Sequence, residues 1–452
     1  VLATVMANIV WIMPQFSLAV GAIQENLFSG SLISREKDVW LIIAALFTFG
    51  LYVNYLYEAG GRSAKLFDLI IKIMVGIFAV VISLTMGGQL QFGKVLGGFI
   101  PDFSLLNSSS QTFAKDIAAS SDPSFWDKYI ISTQKDKIFT AFGTAVGINM
   151  TFLLPYTLLK KKWGPKHRGL SMTDLSIGLF VPFFLATACV VISSATSFHG
   201  KTDDVNPLET YKLLATVPAV EQSVENLKDD KGNFTPAAIT AIEALPASDR
   251  KLAAMLHERD HKALALTLKP FAGGEASKII FGVGVLGMAM STIVILMLMN
   301  GLAFEELFGH RGQPEAAPSE TTAKGKKAFA VGCLVSGLAG CSFPFIWTSA
   351  NKAALAIPTS VIGGALIPIA YFTFFLLMNS KKVLGDKRPT GGARILWNSL
   401  MIVSTTIATF GSCWAIWNKS LGGLPAGKIG VGFLALLFVV GTFSFLKNER
   451  KS

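Results

Sequence analysis

The chain has 452 residues, of which 51% are hydrophobic and only 15% are charged, and its formal net charge is +11. Soluble globular domains carry about 25% charged residues, so this balance excludes an ordinary soluble protein and indicates a chain largely embedded in lipid. The four cysteines show no C-x-x-C spacing, which excludes a site built from closely spaced cysteine ligands.

Ten apolar segments are long enough to cross a membrane as helices. Crossing the hydrocarbon takes about 20 largely apolar residues, because lipid cannot pair with exposed backbone groups. We therefore predict an all-α fold, a polytopic transmembrane helical bundle, with spans at 1–24, 38–59, 66–87, 137–159, 173–197, 277–304, 327–348, 353–378, 394–417 and 427–446.

Lys and Arg are concentrated in loops beside these spans, as in 160–168 and 381–394. The positive charge therefore reflects membrane topology, and we expect no nucleic-acid partner. Because basic loops stay in the cytoplasm, alternation places both chain ends there and leaves the hydrophilic segments 88–136 and 198–276 outside. The predicted regions are transmembrane residues 1–197, an extracytoplasmic helical insertion at 198–276 and transmembrane residues 277–452, in a cell inner or plasma membrane.

The first span contains three residues that are unusual in an apolar helix, Pro14, Gln15 and Ser17. Pro14 removes a backbone donor and is expected to interrupt the helix, while Gln15 and Ser17 would place polar groups along a transport pathway. The alternative is a proline kink that neighbouring helices pack against.

The fourth span, "GTAVGINMTFLLPYTLL", combines glycine, asparagine and proline, a composition that favours a broken helix lining a cavity. Unwinding near Gly147 would expose backbone carbonyls from Thr144 onward. Asn149 Oδ1, Thr151 Oγ1 and the Met150 sulfur would join them around a metal cation, since oxygens suit hard ions and a thioether suits softer ones. The alternative is helix packing, with glycine for close approach and asparagine for an interhelical hydrogen bond.

Two later spans carry clusters of small or polar residues. In "ALAIPTSVIGGALIPIAYF" we expect a kinked or partly unwound helix, in which Thr359 and Ser360 either face a pathway or bond to carbonyls one turn earlier. Gly332, Ser336 and Gly340 are spaced by four, which predicts close packing of helices.

The hydrophilic insertion contains "MLHERDHKAL", which fits the H-E-x-x-H pattern of zinc peptidases. We predict a helix over about 250–267, capped by Ser248 or Asp249, which would place His257 and His261 one turn apart. A zinc peptidase also needs a third ligand and a substrate cleft, and the sequence identifies neither. A surface helix, or weak external metal binding by the two histidines, is the preferred interpretation.

The segments "FGKVLGGFIPDFS", "DLSIGLFVPFFLATACVVISSATSFHG", "GVLGMAMSTIVILMLMNGLAFEELF" and "ALIPIAYFTFFLLMNSKKVLGDKR" together resemble the Nramp (natural resistance-associated macrophage protein) family of divalent metal transporters. They are similar, in order, to regions following helix five, at helix seven, at helix eight and at the end of helix ten. The resemblance implies a leucine-transporter-like inverted-repeat fold. The ten spans then correspond to helices three to twelve, and the first two family helices precede Val1.

The resemblance also implies a divergent ion site. The family's sixth helix breaks at Met-Pro-His-Asn, and alignment on Gly143 places residues 147–150 at these four positions. The family's sulfur ligand is then lost, which favours harder ions. Two acidic positions of the family's proton pathway correspond to Pro14 and Ser17, which cannot titrate, so proton coupling is expected to be altered or lost.

By this resemblance the chain is a transporter rather than an enzyme. It would move a divalent cation, Mg, Mn or Fe, by alternating access, with no permanently bound cofactor and with the lipid bilayer and the transported ion as its partners. The alternatives are a small organic solute transporter of the same fold, a non-transporting metal sensor or scaffold, and a membrane zinc peptidase acting through His257 and His261.

Overall fold

The structure is a computed structural model, and it describes a large part of the chain. All regular elements in this part are helices, as predicted. The described residues are 1–28, 38–59, 66, 69, 102–145, 147–149, 155, 158, 163–177, 195, 198–202, 207–227, 234–259, 261–269, 273–309, 323–348, 351–417 and 425–450.

The helices are numbered in chain order. Up to residue 256 they are α1 (Leu2–Gly21), α2 (Val39–Ala59), α3 (Gln111–Ala118), α4 (Pro123–Ala145), α5 (Arg168–Leu175), α6 (Pro207–Leu214), α7 (Glu221–Glu225), α8 (Pro236–Glu243) and α9 (Ala247–Leu256). They continue with α10 (His261–Ala265), α11 (Gly274–Phe304), α12 (Ala323–Cys341), α13 (Phe343–Ile346), α14 (Ala356–Gly364), α15 (Ile367–Asn379), α16 (Lys381–Leu384), α17 (Gly391–Trp417) and α18 (Ala426–Arg450).

Among the described residues, seven helical segments are long and apolar enough to cross a membrane, and each overlaps a predicted span. They are Leu2–Leu27, Val39–Glu58, Gly274–Gly309, Ala323–Ile346, Ala353–Asn379, Gly391–Trp417 and Gly427–Lys447. The other predicted spans, 66–87, 137–159 and 173–197, lie mostly outside the described residues, although α4 enters the second of them. The chain is therefore an integral membrane protein.

α1 lies at the centre of the bundle, where it packs against α2, α11, α12 and α14. The predicted stripe of small residues explains how α12 comes so close. A Cβ atom added to Gly340 would lie 2.4 Å from the ring of Phe16 in α1, and one added to Gly332 would lie 2.3 Å from the Asn300 carbonyl oxygen in α11. Ser336, between these glycines, is fully buried. The prediction that this stripe packs helices together is confirmed.

Pro14 does not interrupt the first span, so that prediction is wrong. α1 is continuous from Leu2 to Gly21 with Pro14 buried inside it, and the irregular turn follows later, as a π-helix over Ala22–Leu27. In lipid, unwinding a helix would leave several backbone groups without partners, which costs more than the single hydrogen bond that proline removes.

The predicted kink in the eighth span is present. α14 ends at Gly364 and α15 begins at Ile367, with Pro368 in its first turn. Proline is tolerated there because the first N–H groups of a helix have no intrahelical acceptor.

Two hydrophilic segments that are far apart in the sequence fold around one apolar core. We call residues 111–130 and 207–256 the polar domain. Its core is formed by side chains from α3, α4, α6, α7, α8, α9 and the connections between them: Phe113, Ile117, Trp126, Ile130, Leu214, Val217, Val224, Ala238, Ile242, Leu245, Leu252 and Ala253.

A buried carboxylate joins the two halves of the polar domain. Asp249 of α9 is fully buried and accepts hydrogen bonds from Trp126 Nε1 at 2.6 Å and from Ser121 N and Oγ, both at 2.8 Å. The expectation that Asp249 or Ser248 caps the helix is therefore wrong. α9 begins at Ala247, after Pro246, and its carboxylate is used for a tertiary contact.

α4 connects the polar domain to the membrane bundle. Its Trp126 and Ile130 lie four residues apart on one face, in the polar-domain core, while its other end packs against α14 and α17. The helix begins at Pro123, well before the predicted membrane span that starts at residue 137. Hydropathy does not reveal this first part of the helix, because residues 123–137 are mostly polar. The helix is stabilised there by the two buried side chains of Trp126 and Ile130.

Candidate functional site

The predicted break in the fourth span is present. α4 ends at Ala145, Gly147 is not helical, and helical geometry resumes at Ile148 and Asn149. Ile148 is 1% exposed and packs with Ala7 of α1 and Ala370 of α15, while Asn149 is also buried. The break therefore lies inside the protein.

Trp11 of α1 packs against the backbone at the break. A Cβ atom added to Gly147 would lie 2.7 Å from Trp11 Cζ3, and one added to Gly363 of α14 would lie 2.0 Å from Trp11 Cε2 and Nε1. Neither position has room for a side chain. α1, α14 and the break thus converge on one indole ring.

The polar side-chain atom described at the break is an amide oxygen. Asn149 Oδ1 lies over the break, 2.2 Å from the position of a Cβ atom on Gly147. Thr144 lies in the last turn of α4, and the carbonyl end of a helix carries the negative end of the helix dipole. Such a helix end attracts cations. The other two predicted ligands, Met150 and Thr151, lie outside the described residues.

No group of three or more His, Cys, Asp or Glu side chains among the described residues is placed to hold a metal ion. The oxygen described at the break, Asn149 Oδ1, is a neutral amide oxygen. Such ligands suit hard ions, which keep part of their water shell.

The predicted pathway residues do not share one role. Ser17 is fully buried and donates a hydrogen bond to the Lys352 carbonyl at 2.8 Å. Thr359 donates to the Leu355 carbonyl at 2.8 Å, so its hydroxyl bonds one turn back, the second of the two expected alternatives. Gln15 Oε1 is buried and has no hydrogen-bond partner among the described residues, and Ser360 is half-buried on α14.

A buried amide pair between α1 and α11 was not predicted. Asn8 Nδ2 donates to Asn300 Oδ1 at 2.8 Å, and both residues are fully buried. The remaining amide atoms, Asn8 Oδ1 and Asn300 Nδ2, have no partner in the described structure, and neither has the buried Ser336 Oγ. The sequence feature that could have predicted this pair is the single asparagine in each of these two apolar spans.

We expect Asn8→Leu to lower the free energy of unfolding by about 1–2 kcal/mol, because Asn300 would keep its buried amide and lose its partner. The double variant Asn8→Leu/Asn300→Leu should recover most of this loss, since neither amide then remains to be satisfied. Thermal unfolding of the purified full chain in detergent measures both, with the exposed Asn107→Leu as control. Additive losses in the double variant would contradict the pair.

The two histidines of "HERDH" do not lie on one helix, so the predicted helix over about 250–267 is wrong. α9 ends at Leu256, His257 has an extended backbone with ψ 135°, and α10 begins at His261. The Arg259 guanidinium donates to the carbonyls of Ala254 and His257, and thereby pairs carbonyls that a longer helix would have used. A zinc peptidase motif needs both histidines on one helical face, and this geometry lacks that arrangement.

Comparison with known proteins identifies one family. Residues 243–414 match the sequence model described as "Natural resistance-associated macrophage protein-like". The matched region runs from the end of α8 into α17, so it includes Gly363 and Asn300 but not the break at Gly147. No curated protein and no solved structure matches the chain.

Proposed function

We propose that this chain, whose residues 243–414 match the Nramp-like family model, transports a divalent cation, Mg, Mn or Fe, across the membrane. The family is one of membrane metal-ion transporters. The observation that carries the proposal is the helix break at Gly147 inside the protein, where Asn149 Oδ1 and the Trp11 ring both approach the Gly147 backbone.

The break supports cation binding through its electrostatics. A helix that ends inside a membrane protein presents its last carbonyls, with the negative end of its dipole, to whatever enters the cavity. We propose Thr144, Gly147, Asn149 and Thr151 as oxygen ligands, with the Met150 sulfur as a further one. With neutral ligands the site would select by size and hydration more than by charge.

The transport cycle proposed here is alternating access without the family's usual proton route. Two interruptions, at Gly147 in the fourth span and between α14 and α15 in the eighth, supply places where the backbone can bend. Pro14 occupies one expected proton-pathway position and Ser17 the other, and the Ser17 hydroxyl is engaged with the Lys352 carbonyl. We therefore propose that transport does not depend on a protonated side chain at these positions.

The experiment is cation uptake into proteoliposomes that contain the full chain, with Mg²⁺, Mn²⁺ and Fe²⁺ compared. We expect saturable uptake of at least one ion, reduced about tenfold or more in Asn149→Ala because a ligand is lost. His257→Ala should transport normally, since His257 directly follows α9 of the polar domain and is not near the break.

Three outcomes would contradict parts of this proposal. The absence of saturable uptake of any divalent ion would contradict the transport hypothesis. If the protein still bound the ion, a sensor or scaffold would be favoured. If His257→Ala loses uptake and Asn149→Ala keeps it, the cation site lies near His257 and not at the break. Uptake that requires an inward proton gradient would overturn the altered coupling.

The expected inner or plasma membrane, with both chain ends in the cytoplasm, can be tested by cysteine labelling in cells.

A further inference from the structure

The segment between α15 and α17 is an ordered turn at the membrane surface. α15 and α17 both belong to membrane-crossing segments, so residues 380–390 lie where these helices leave the lipid. The Ser380 hydroxyl accepts a hydrogen bond from the Val383 N–H at 3.2 Å and so caps α16, and a 3₁₀ turn follows over Gly385–Lys387. Gly385 has φ +50°, a left-handed conformation that glycine adopts without strain.

Two arginine side chains converge on Asn379, the last residue of α15. Arg388 Nη1 donates to the Asn379 carbonyl oxygen at 3.4 Å, and Arg394 Nε donates to Asn379 Oδ1 at 3.3 Å. Asn398 of α17 fixes this amide in place by exchanging two hydrogen bonds with it, at 2.8 and 3.2 Å. The two guanidinium groups are thus held near each other by a neutral residue.

Two cationic side chains that share one hydrogen-bonding residue repel each other, and an anion bound between them would offset that repulsion. In the described part of the chain neither Arg388 nor Arg394 pairs with an acidic side chain; the ion pairs found there all involve lysines elsewhere. Each guanidinium has five N–H donors, and the bonds to Asn379 use one from each. The remaining donors are available to a planar or tetrahedral oxyanion.

The start of α17 adds to the positive field. Arg394 lies in its first turn, which contains no acidic residue, and there the positive end of the helix dipole disfavours a cation. The space beside the backbone is open, because a Cβ atom on Gly391 or on Gly392 would contact nothing within 4 Å. An anion seated here would be stabilised by both arginines and by the helix end.

Exposed apolar side chains surround the same spot and indicate what bears the anion. Val383 is 63% exposed, Ile395 71% and Trp397 50%. Tryptophan beside basic residues is typical of the level of the lipid headgroups. We propose that this loop binds the phosphate of an anionic phospholipid, with Arg388 and Arg394 on the phosphate and the apolar side chains against its acyl chains.

The test is native mass spectrometry of the purified full chain, exchanged into mixtures of phosphatidylglycerol and phosphatidylcholine. We expect retention of phosphatidylglycerol, reduced about tenfold in Arg388→Gln/Arg394→Gln because two phosphate contacts are lost. The matched control is Lys326→Gln/Lys327→Gln, which removes the same charge from the start of α12 and should retain the lipid. Thermal unfolding of both variants checks that the bundle stays intact.

Each result supports or contradicts phospholipid binding by this loop. Equal loss in both double variants would overturn it, because net charge alone would then explain the binding. Displacement of the lipid by millimolar inorganic phosphate would overturn the choice of a lipid and assign the pair to a soluble anion. Arg388→Lys/Arg394→Lys should bind with intermediate strength, since charge is retained without the planar fork.

Discussion

Gly363→Ala is expected to destabilise the membrane bundle by about 3 kcal/mol or more and to abolish cation uptake. The added methyl group would lie 2.0 Å from the Trp11 indole, well inside contact distance, in a packed junction of α1, α14 and the Gly147 break. A close-packed interior relieves such overlap only by shifting helices. Thermal unfolding followed by size-exclusion chromatography in detergent measures the loss, and proteoliposome uptake measures its consequence.

The effect should depend on the indole ring itself. Gly363→Ala/Trp11→Leu should recover a substantial part of the lost stability, because leucine lacks the ring atoms that the methyl group meets. The matched control is Gly432→Ala in α18, where a Cβ atom would contact nothing within 4 Å and should be neutral or slightly stabilising. If Gly363→Ala unfolds at the temperature of the unchanged protein, the described packing around Trp11 is wrong.

Asp249→Ala is expected to loosen the polar domain by about 3–5 kcal/mol. The change removes a fully buried carboxylate and leaves the fully buried Trp126 indole N–H without an acceptor, while the N–H of the exposed Ser121 also loses its protein partner. An unsatisfied buried donor costs about 1–3 kcal/mol, and bonds to a charged acceptor are the stronger ones. Hydrogen exchange of the full chain, read in peptides from α3 and α9, should accelerate about a hundredfold or more.

Two controls separate this effect from a general loss of stability. Peptides from α11 should exchange as in the unchanged protein, because α11 belongs to the membrane core and not to the polar domain. Glu221→Ala, at an exposed position of α7, should leave exchange in α3 and α9 unaltered. Unchanged protection in Asp249→Ala would mean that the two halves of the polar domain are not joined through this carboxylate.

The sequence alone determined where the chain enters lipid. Every described membrane-crossing helix overlaps a predicted span, because hydrocarbon imposes a length and a composition that any such helix must meet. The break at Gly147 and the kink after Gly364 were predictable for a related reason. Clusters of glycine, proline and asparagine weaken a helix locally, wherever it lies in the fold.

Tertiary structure decided what these local features become. Pro14 stays helical because the bundle encloses it, whereas the helix expected through His257 ends because Arg259 pairs with the carbonyls at its end. The polar domain joins segments more than 100 residues apart in the sequence, as the bond between Trp126 and Asp249 shows. Trp11 meets Gly147 and Gly363 only in the folded chain. Contacts between distant segments depend on side-chain packing in three dimensions, and neither hydropathy nor residue spacing along the sequence records them.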